Sequence, residues 1–160
     1  MEFHDLQGGV MMIITFIGHG SLPAGVDLAE KVRSGILTVV PEGEKVTFYC
    51  GGYGDFDRLC AGVCRSLKPE LSGSEIVFVA PYFTESYQKK ILRILEEKLY
   101  DDVVYPPLEC VPPRLAILKR NQWMVERADL IFSYVTHSFG GAATTLAFAK
   151  RKKKTVVNLT

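Results

Sequence analysis

The sequence predicts an α/β domain, Rossmann-like and doubly wound, with a mostly parallel sheet of five or more strands and helices on both faces. Three observations lead there. Short apolar runs alternate with amphipathic stretches along the whole chain. Most of those runs are continuously apolar, as strands covered on both faces of a parallel sheet require. Two of them run into paired glycines and then into a plausible helix, "FYCGGYGDF" from Phe48 and "SYVTHSFGGAATT" from Ser133.

Taken in order, residues 1–11 read as a ragged N-terminal extension and 12–17 as a first strand, its apolar run closing on "GHG". A helix over 27–40 precedes the punctuation "PEGE" and a strand over 45–50. A helix over 57–68, the turn "LSGSE" and a strand over 75–80 follow, then a helix over 87–99. Residues 102–105 form an extra short strand before a proline-stiffened loop whose prolines suit no central ladder. In the helix over 114–127, Leu115, Leu118, Met124 and Val125 recur at helical spacing and suggest one buried face. A strand over 130–135, a helix over 141–151 and a strand over 155–159 complete the alternation.

Length and composition narrow the classes. The 160 residues fit one domain, 1–160, and 48% hydrophobic with 23% charged residues is neither a disordered nor a membrane profile. No apolar run reaches the roughly 20 residues of a spanning helix, and no basic n-region marks a secretory signal, so a cytoplasmic protein with no membrane partner is expected. Net charge is +1, and no basic stripe appears, so nucleic acid is an unlikely partner on this reading. The run Lys150 to Lys154 falls at a helix end, where cations complement the helix partial charge. Four cysteines form no CxxC pair; reduced thiols are expected, with no metal and no cofactor.

In a parallel α/β sheet, ligands bind outside the carboxyl ends of the strands. Both glycine pairs fall there, and each helix that follows offers unpaired N–H groups to an anion. One glycine pair alone is as readily turn chemistry; two, with "FIGHGS" as a third strand end, point to a phosphate or nucleotide pocket. The expected ligand-binding set is Gly18, His19, Gly51, Gly52, Tyr53, Gly54, Asp55, Arg114, Arg120, Asn121, Ser138, Gly140, Gly141, Ala142, Thr144 and Thr145. Tyr53 and Phe139 sit inside the glycine loops, where a ring can stack on a base. Arg120 has bidentate geometry for phosphate, and Asn121 can read a base or ribose edge. The hydroxyls of Ser138, Thr144 and Thr145 can donate to phosphate oxygens, with packing inside the helix as the stronger alternative for Thr145 than for the other two. His19 and His137 both end strands. "APYFTESYQ" after the third strand overhangs the same rim, with helix capping by Thr84 or Ser86 as the alternative.

"GGYG" after an early strand, then Arg120, Met124, Ala128 and Asp129 in the pattern R-x-x-x-M-x-x-x-A-D, then a strand and "GGAATT", resemble the SLOG superfamily. That superfamily includes the lonely-guy phosphoribohydrolases, the Rossmann domain of the DNA-processing protein A family, and a branch of small bacterial and phage-associated proteins to which this chain is most similar. The similarity runs from "ITFIGH" to "KTVVNL". It implies a nucleotide-derived, phosphate-containing ligand and a homodimer, the commonest closed assembly. The lonely-guy motif P-G-G-x-G-T-x-x-E is met here by Phe139 to Ala147, so alanine stands where the resembling enzymes have glutamate. Alanine moves no proton, so the reading is binding or sensing of a nucleotide-derived small molecule without a known catalytic group. The alternative is an N-glycosidase using another carboxylate, Asp55, Asp57 or Glu109. Single-stranded nucleic-acid binding ranks last.

Overall fold

The computed structural model describes residues 11–23 and 27–160. The extension expected over 1–11 therefore lies outside the described residues, except for Met11, which opens the first strand. The elements are β1 (Met11–Gly18), α1 (Leu28–Val39), β2 (Lys45–Cys50), α2 (Gly54–Ser66), β3 (Ser74–Val79), α3 (Glu85–Glu96), β4 (Asp102–Val104), α4 (Ala116–Arg127), β5 (Leu130–Tyr134), α5 (Gly141–Arg151) and β6 (Val156–Asn158). A 3-10 turn, Pro113–Leu115, leads into α4.

All six strands pair parallel in the order β4-β3-β2-β1-β5-β6. Chain order runs outward from β1 in one direction and returns on its other side through β5, so the sheet reverses between β1 and β5. Side-chain parity then assigns the helices. Ile14 and Phe16 of β1 share one core with Val32 and Ile36 of α1 and with Phe56, Cys60 and Cys64 of α2. Ile17, of opposite parity, packs with Val125 and Ala128 at the end of α4 and Ala149 of α5. Phe78 and Ile91 form a third cluster that seats α3. This is the doubly wound architecture that the continuous apolar strands predict.

Local boundaries shift for tertiary reasons. Helix α2 begins three residues before position 57 because the β1 loop caps it: Asp55 N–H donates to Gly20 O (2.9 Å) and Phe56 N–H to His19 O (3.4 Å). Thr84 is indeed a cap, its hydroxyl accepting from Tyr87 N–H. Lys154 Nζ donates to the carbonyls of Glu126 and Ala128 at the end of α4, so one cation of the basic run closes a helix C-terminus. Asp129 fixes the β1–β5 register twice: its N–H donates to Ile13 O, and its carboxylate accepts from Ile13 N–H, both at 2.8 Å. Cys50, Cys60 and Cys64 are buried free thiols, and burial pushes the thiols of Cys60 and Cys64 well above the usual range. Cys110 is free and exposed. Among the described residues no helix is long and apolar enough to cross a membrane.

At the junction between the first two loops, backbone approaches backbone closely. Gly54 has φ +88°, and a Cβ there would lie 2.6 Å from the Gly20 α-carbon. Both the left-handed backbone and the backbone contact require glycine. Gly54→Ala should lower unfolding free energy in urea by at least about 2 kcal/mol; a loss below about 0.5 kcal/mol would contradict the close approach of the two loops.

Candidate functional site

A cavity of about 500 Å³ opens at the carboxyl ends of β1 and β5, where the strand order reverses. Its floor is Thr15 to Gly18 of β1 and the Arg120, Met124, Val125 face of α4. Its walls are the β1 loop, Tyr53, and the turn into α5.

The buried row of α4 is Ala116, Arg120 and Met124, one i, i+4 ridge with an arginine in its middle. Arg120 is 1% exposed. Its Nη1 donates to Gly51 O (2.9 Å) and Val79 O (2.8 Å), and its Nε donates to Asn121 Oδ1 (2.8 Å). It therefore ties the carboxyl ends of β2 and β3 to α4. The sequence places Arg120 at the ligand; the structure places it at the cleft floor, with those donors engaged by the protein.

Asp57 lines the same floor and is its one carboxylate among the described residues. Its Oδ2 accepts from Tyr53 N–H at 3.0 Å. Burial pushes its pKa up to about 6, while the Arg120 guanidinium, the Tyr53 N–H and Arg58 pull it back down. Burial likewise lowers the Arg120 pKa, and Asp57 opposes that. A carboxyl poised near neutrality in a cleft is a group able to exchange a proton. Asp57 was one of three carboxylates considered from sequence. Asp55 is exposed and spent on Arg58 and Leu22 N–H, which together hold its pKa low. Glu109 lies in a different groove.

The two glycine turns differ. At α2, the leading N–H groups of Asp55 and Phe56 are consumed by the β1 loop. At α5, no side chain caps the helix, and the first intrahelical bond is donated by Thr144 N–H to Gly140 O (3.0 Å). The N–H groups of Gly141, Ala142 and Ala143 precede that bond. Gly140 reaches this geometry with φ +91°, which favours glycine, whereas a side chain at Gly141 would meet nothing within 4 Å.

Rings stand over that turn. His19 stacks on His137 (4.0 Å between centroids), and His137 stacks on Phe139 (4.1 Å), whose ring is 70% exposed. The partners fix the tautomers: Thr136 N–H donates to His19 Nε2 (2.8 Å), leaving the His19 proton on Nδ1, and His137 Nδ1 donates to Phe139 O (2.9 Å). Burial and the neighbouring His137 both lower the His19 pKa. Tyr53, half exposed, faces the cleft from the other rim.

Of the residues expected from sequence, Gly18, His19, Tyr53, Arg120, Asn121, Gly140, Gly141, Ala142 and Thr145 line this cleft. The others lie outside its lining. Gly51 is beneath it and contributes its carbonyl to Arg120; Gly52 faces the Phe78 ring; Gly54 abuts Gly20. Arg114 is exposed on the 3-10 turn, and Ser138 lines a shallow depression with Ala147. Thr144 donates to Gly140 O and is exposed. Thr145 is buried and bonded to Gly141 O, the packed role weighed for it above. Asp57, Gly20 and Ser21 line the cleft without having been in the expected set. Ala147 is exposed and away from the cleft, so the alanine that replaces the resembling enzymes' glutamate does not border this cavity.

No family model and no curated protein sequence matches the chain. Among solved structures, DNA processing protein A from Streptococcus pneumoniae superposes with a TM-score of 0.64 at 14% identity, covering 92% of this chain and 50% of that one. DNA processing protein A from Helicobacter pylori gives a TM-score of 0.60 at 11% identity, covering 92% of this chain and 64% of that one. The chain thus has the Rossmann-like fold of DNA processing protein A and spans less than two thirds of either protein. The Helicobacter pylori structure is described as giving insight into a single-stranded DNA binding mode. That overturns the sequence argument that nucleic acid is an unlikely partner. Near-neutral net charge was the wrong criterion, because single strands are also held by base stacking on aromatic side chains, which needs no broad basic stripe.

Asp57 generates a pH prediction. Its folded pKa exceeds the ordinary 3.8, so the folded state holds a proton that the unfolded state has lost between about pH 4 and 6. The associated stability is fully present below pH 3.8 and is lost as pH rises through about 6. Between pH 4.5 and 7.5 the unmodified protein should lose on the order of 2 kcal/mol relative to Asp57→Asn, read by urea unfolding at both pH values. Parallel pH profiles would contradict a raised Asp57 pKa.

Proposed function

We propose that this protein binds a nucleotide, seating its phosphate at the N-terminus of α5 and its base against the aromatic rim. The observation that carries this reading is the α5 terminus itself. It opens, without a side-chain cap, onto the cleft at the sheet reversal, while the matching end of α2 is satisfied by protein carbonyls. Unpaired N–H groups and the positive end of a helix together favour a phosphate. A cavity of about 500 Å³ suits a small ligand. Phe139 and Tyr53 offer ring faces on its two rims.

The likeness to a protein that binds single-stranded DNA supports a second form of the same ligand, because a strand presents the same phosphate and base. Asp57 supports a further reading, cleavage of the N-glycosidic bond, since a carboxyl that protonates near pH 6 suits general acid–base work. Chromatography of the titration mixture for free base separates cleavage from binding.

The test compares 5′-deoxynucleoside monophosphates with the matching nucleosides by calorimetry. The monophosphates should bind at least about tenfold more tightly, a difference of about 1.4 kcal/mol. Gly141→Asp puts a carboxylate where a side chain meets no obstacle. An acid in the first turn also complements the helix charge, so thermal stability should hold or rise while nucleotide affinity falls at least about tenfold. Equal binding of nucleoside and nucleotide, or unchanged affinity in Gly141→Asp, would remove the phosphate from α5.

A further inference from the structure

A second cavity of about 480 Å³ lies farther along the carboxyl edge, between the loop after β3 and the proline-rich loop after β4. Its lining is mostly apolar, and among the described residues Glu109 is its one charged residue. Phe83 and Tyr105 meet edge to face at 5.0 Å there, yet are 69% and 41% exposed. Two large rings held in a fixed pair and left open to water form a platform that the core does not use.

Aromatic surface joins this groove to the nucleotide cleft. Tyr53 stands on the cleft rim, and Lys90 Nζ lies 5.4 Å from its ring centroid and 5.2 Å from that of Tyr87. Tyr87 in turn meets the ring of Tyr82 at 5.4 Å, and Tyr82 lines the groove. Lys90 thus stands between the ring on the cleft rim and a ring that adjoins Tyr82 of the groove, which sets a cation on the path from one cavity to the other. The apolar groove with its single carboxylate suits an uncharged planar base and repels a phosphate, which leaves the phosphate to Lys90.

We infer that the groove is a second base-binding subsite, and that the ligand is a single strand of DNA at least two nucleotides long rather than a mononucleotide. The 5′-terminal nucleotide occupies the cleft, the next phosphate passes Lys90, and a following base stacks on Phe83 and Tyr105. This rests on the nucleotide reading of the cleft and names the ligand class for it.

The experiment measures binding of 5′-dAMP and of a 5′-phosphorylated hexadeoxyadenylate to the unmodified protein, to Phe83→Ala/Tyr105→Ala, and to Lys90→Gln. Both rings are exposed, so truncation leaves the core intact, and a thermal melt verifies this. The hexanucleotide should bind the unmodified protein at least about tenfold more tightly than the mononucleotide. The double variant should lose roughly 5- to 150-fold in hexanucleotide affinity, the range for removing a stacking ring, with 5′-dAMP within about twofold of normal. Lys90→Gln should weaken the hexanucleotide and flatten its salt dependence. Equal affinity of the two ligands for the unmodified protein, or hexanucleotide binding indifferent to the ring pair, overturns the subsite while 5′-dAMP binding preserves the cleft. Failure of 5′-dAMP and hexanucleotide alike to bind overturns both.

Discussion

Arg120 is the constraint on which the site depends. A guanidinium that is 1% exposed must have its donors engaged, or the desolvation cost would unfold the region. Besides Asn121 Oδ1, the acceptors it uses are carbonyls at the ends of β2 and β3, so the charge sits where two strands end and one helix crosses them. That geometry holds the Gly51 to Tyr53 loop in place and brings Asp57 to the cleft floor. Asp57 then partly offsets the buried charge, and its own raised pKa reflects the same dry surroundings. Met124, one turn along, lies 3.8 Å from the Thr15 hydroxyl and continues the floor toward β1. One helical row thus supplies both the packing and the charge of the cleft.

From that floor the two glycine turns take different fates. The β1 loop lies across the start of α2 closely enough that its carbonyls replace any external anion there. The loop after β5 carries His137 and Phe139, and His19 from the β1 loop stacks on His137, so three rings stand above the start of α5. Two similar sequences therefore yield one closed helix end and one open one. The open end faces the reversal of strand order, where the architecture leaves a crevice. The proposed phosphate seat rests on this asymmetry.

Much of the architecture was legible in the sequence, because parallel strands and amphipathic helices are written locally. Residues 45–50 and 141–151 form a strand and a helix at the bounds read from composition and glycine punctuation. The R-x-x-x-M-x-x-x-A-D pattern was legible as a resemblance, but its physical content was not. Arg120, Met124 and Ala128 are a buried ridge, and Asp129 is a register lock on Ile13. The site was harder to read because its properties are non-local. Nothing near Gly52 in sequence announces Phe78 against it, and nothing near Asp57 announces the Arg120 guanidinium beside it. The row Ala116, Arg120, Met124 was the available signal, since an arginine at i, i+4 between apolar residues faces the core. Net charge misled about nucleic acid because it averages over a surface of which a strand needs only a narrow track.

The central claim is that phosphate is held by the backbone at the start of α5. Amide resonances of ¹⁵N-labelled protein titrated with a 5′-deoxynucleoside monophosphate test it most directly. The account predicts that the largest shifts fall on Gly141, Ala142 and Ala143, that inorganic phosphate shifts the same amides, and that Asp55 and Phe56, already bonded to the β1 loop, move least among helix-start residues. Shifts centred on α2, or none at α5 with nucleotide bound, would contradict it.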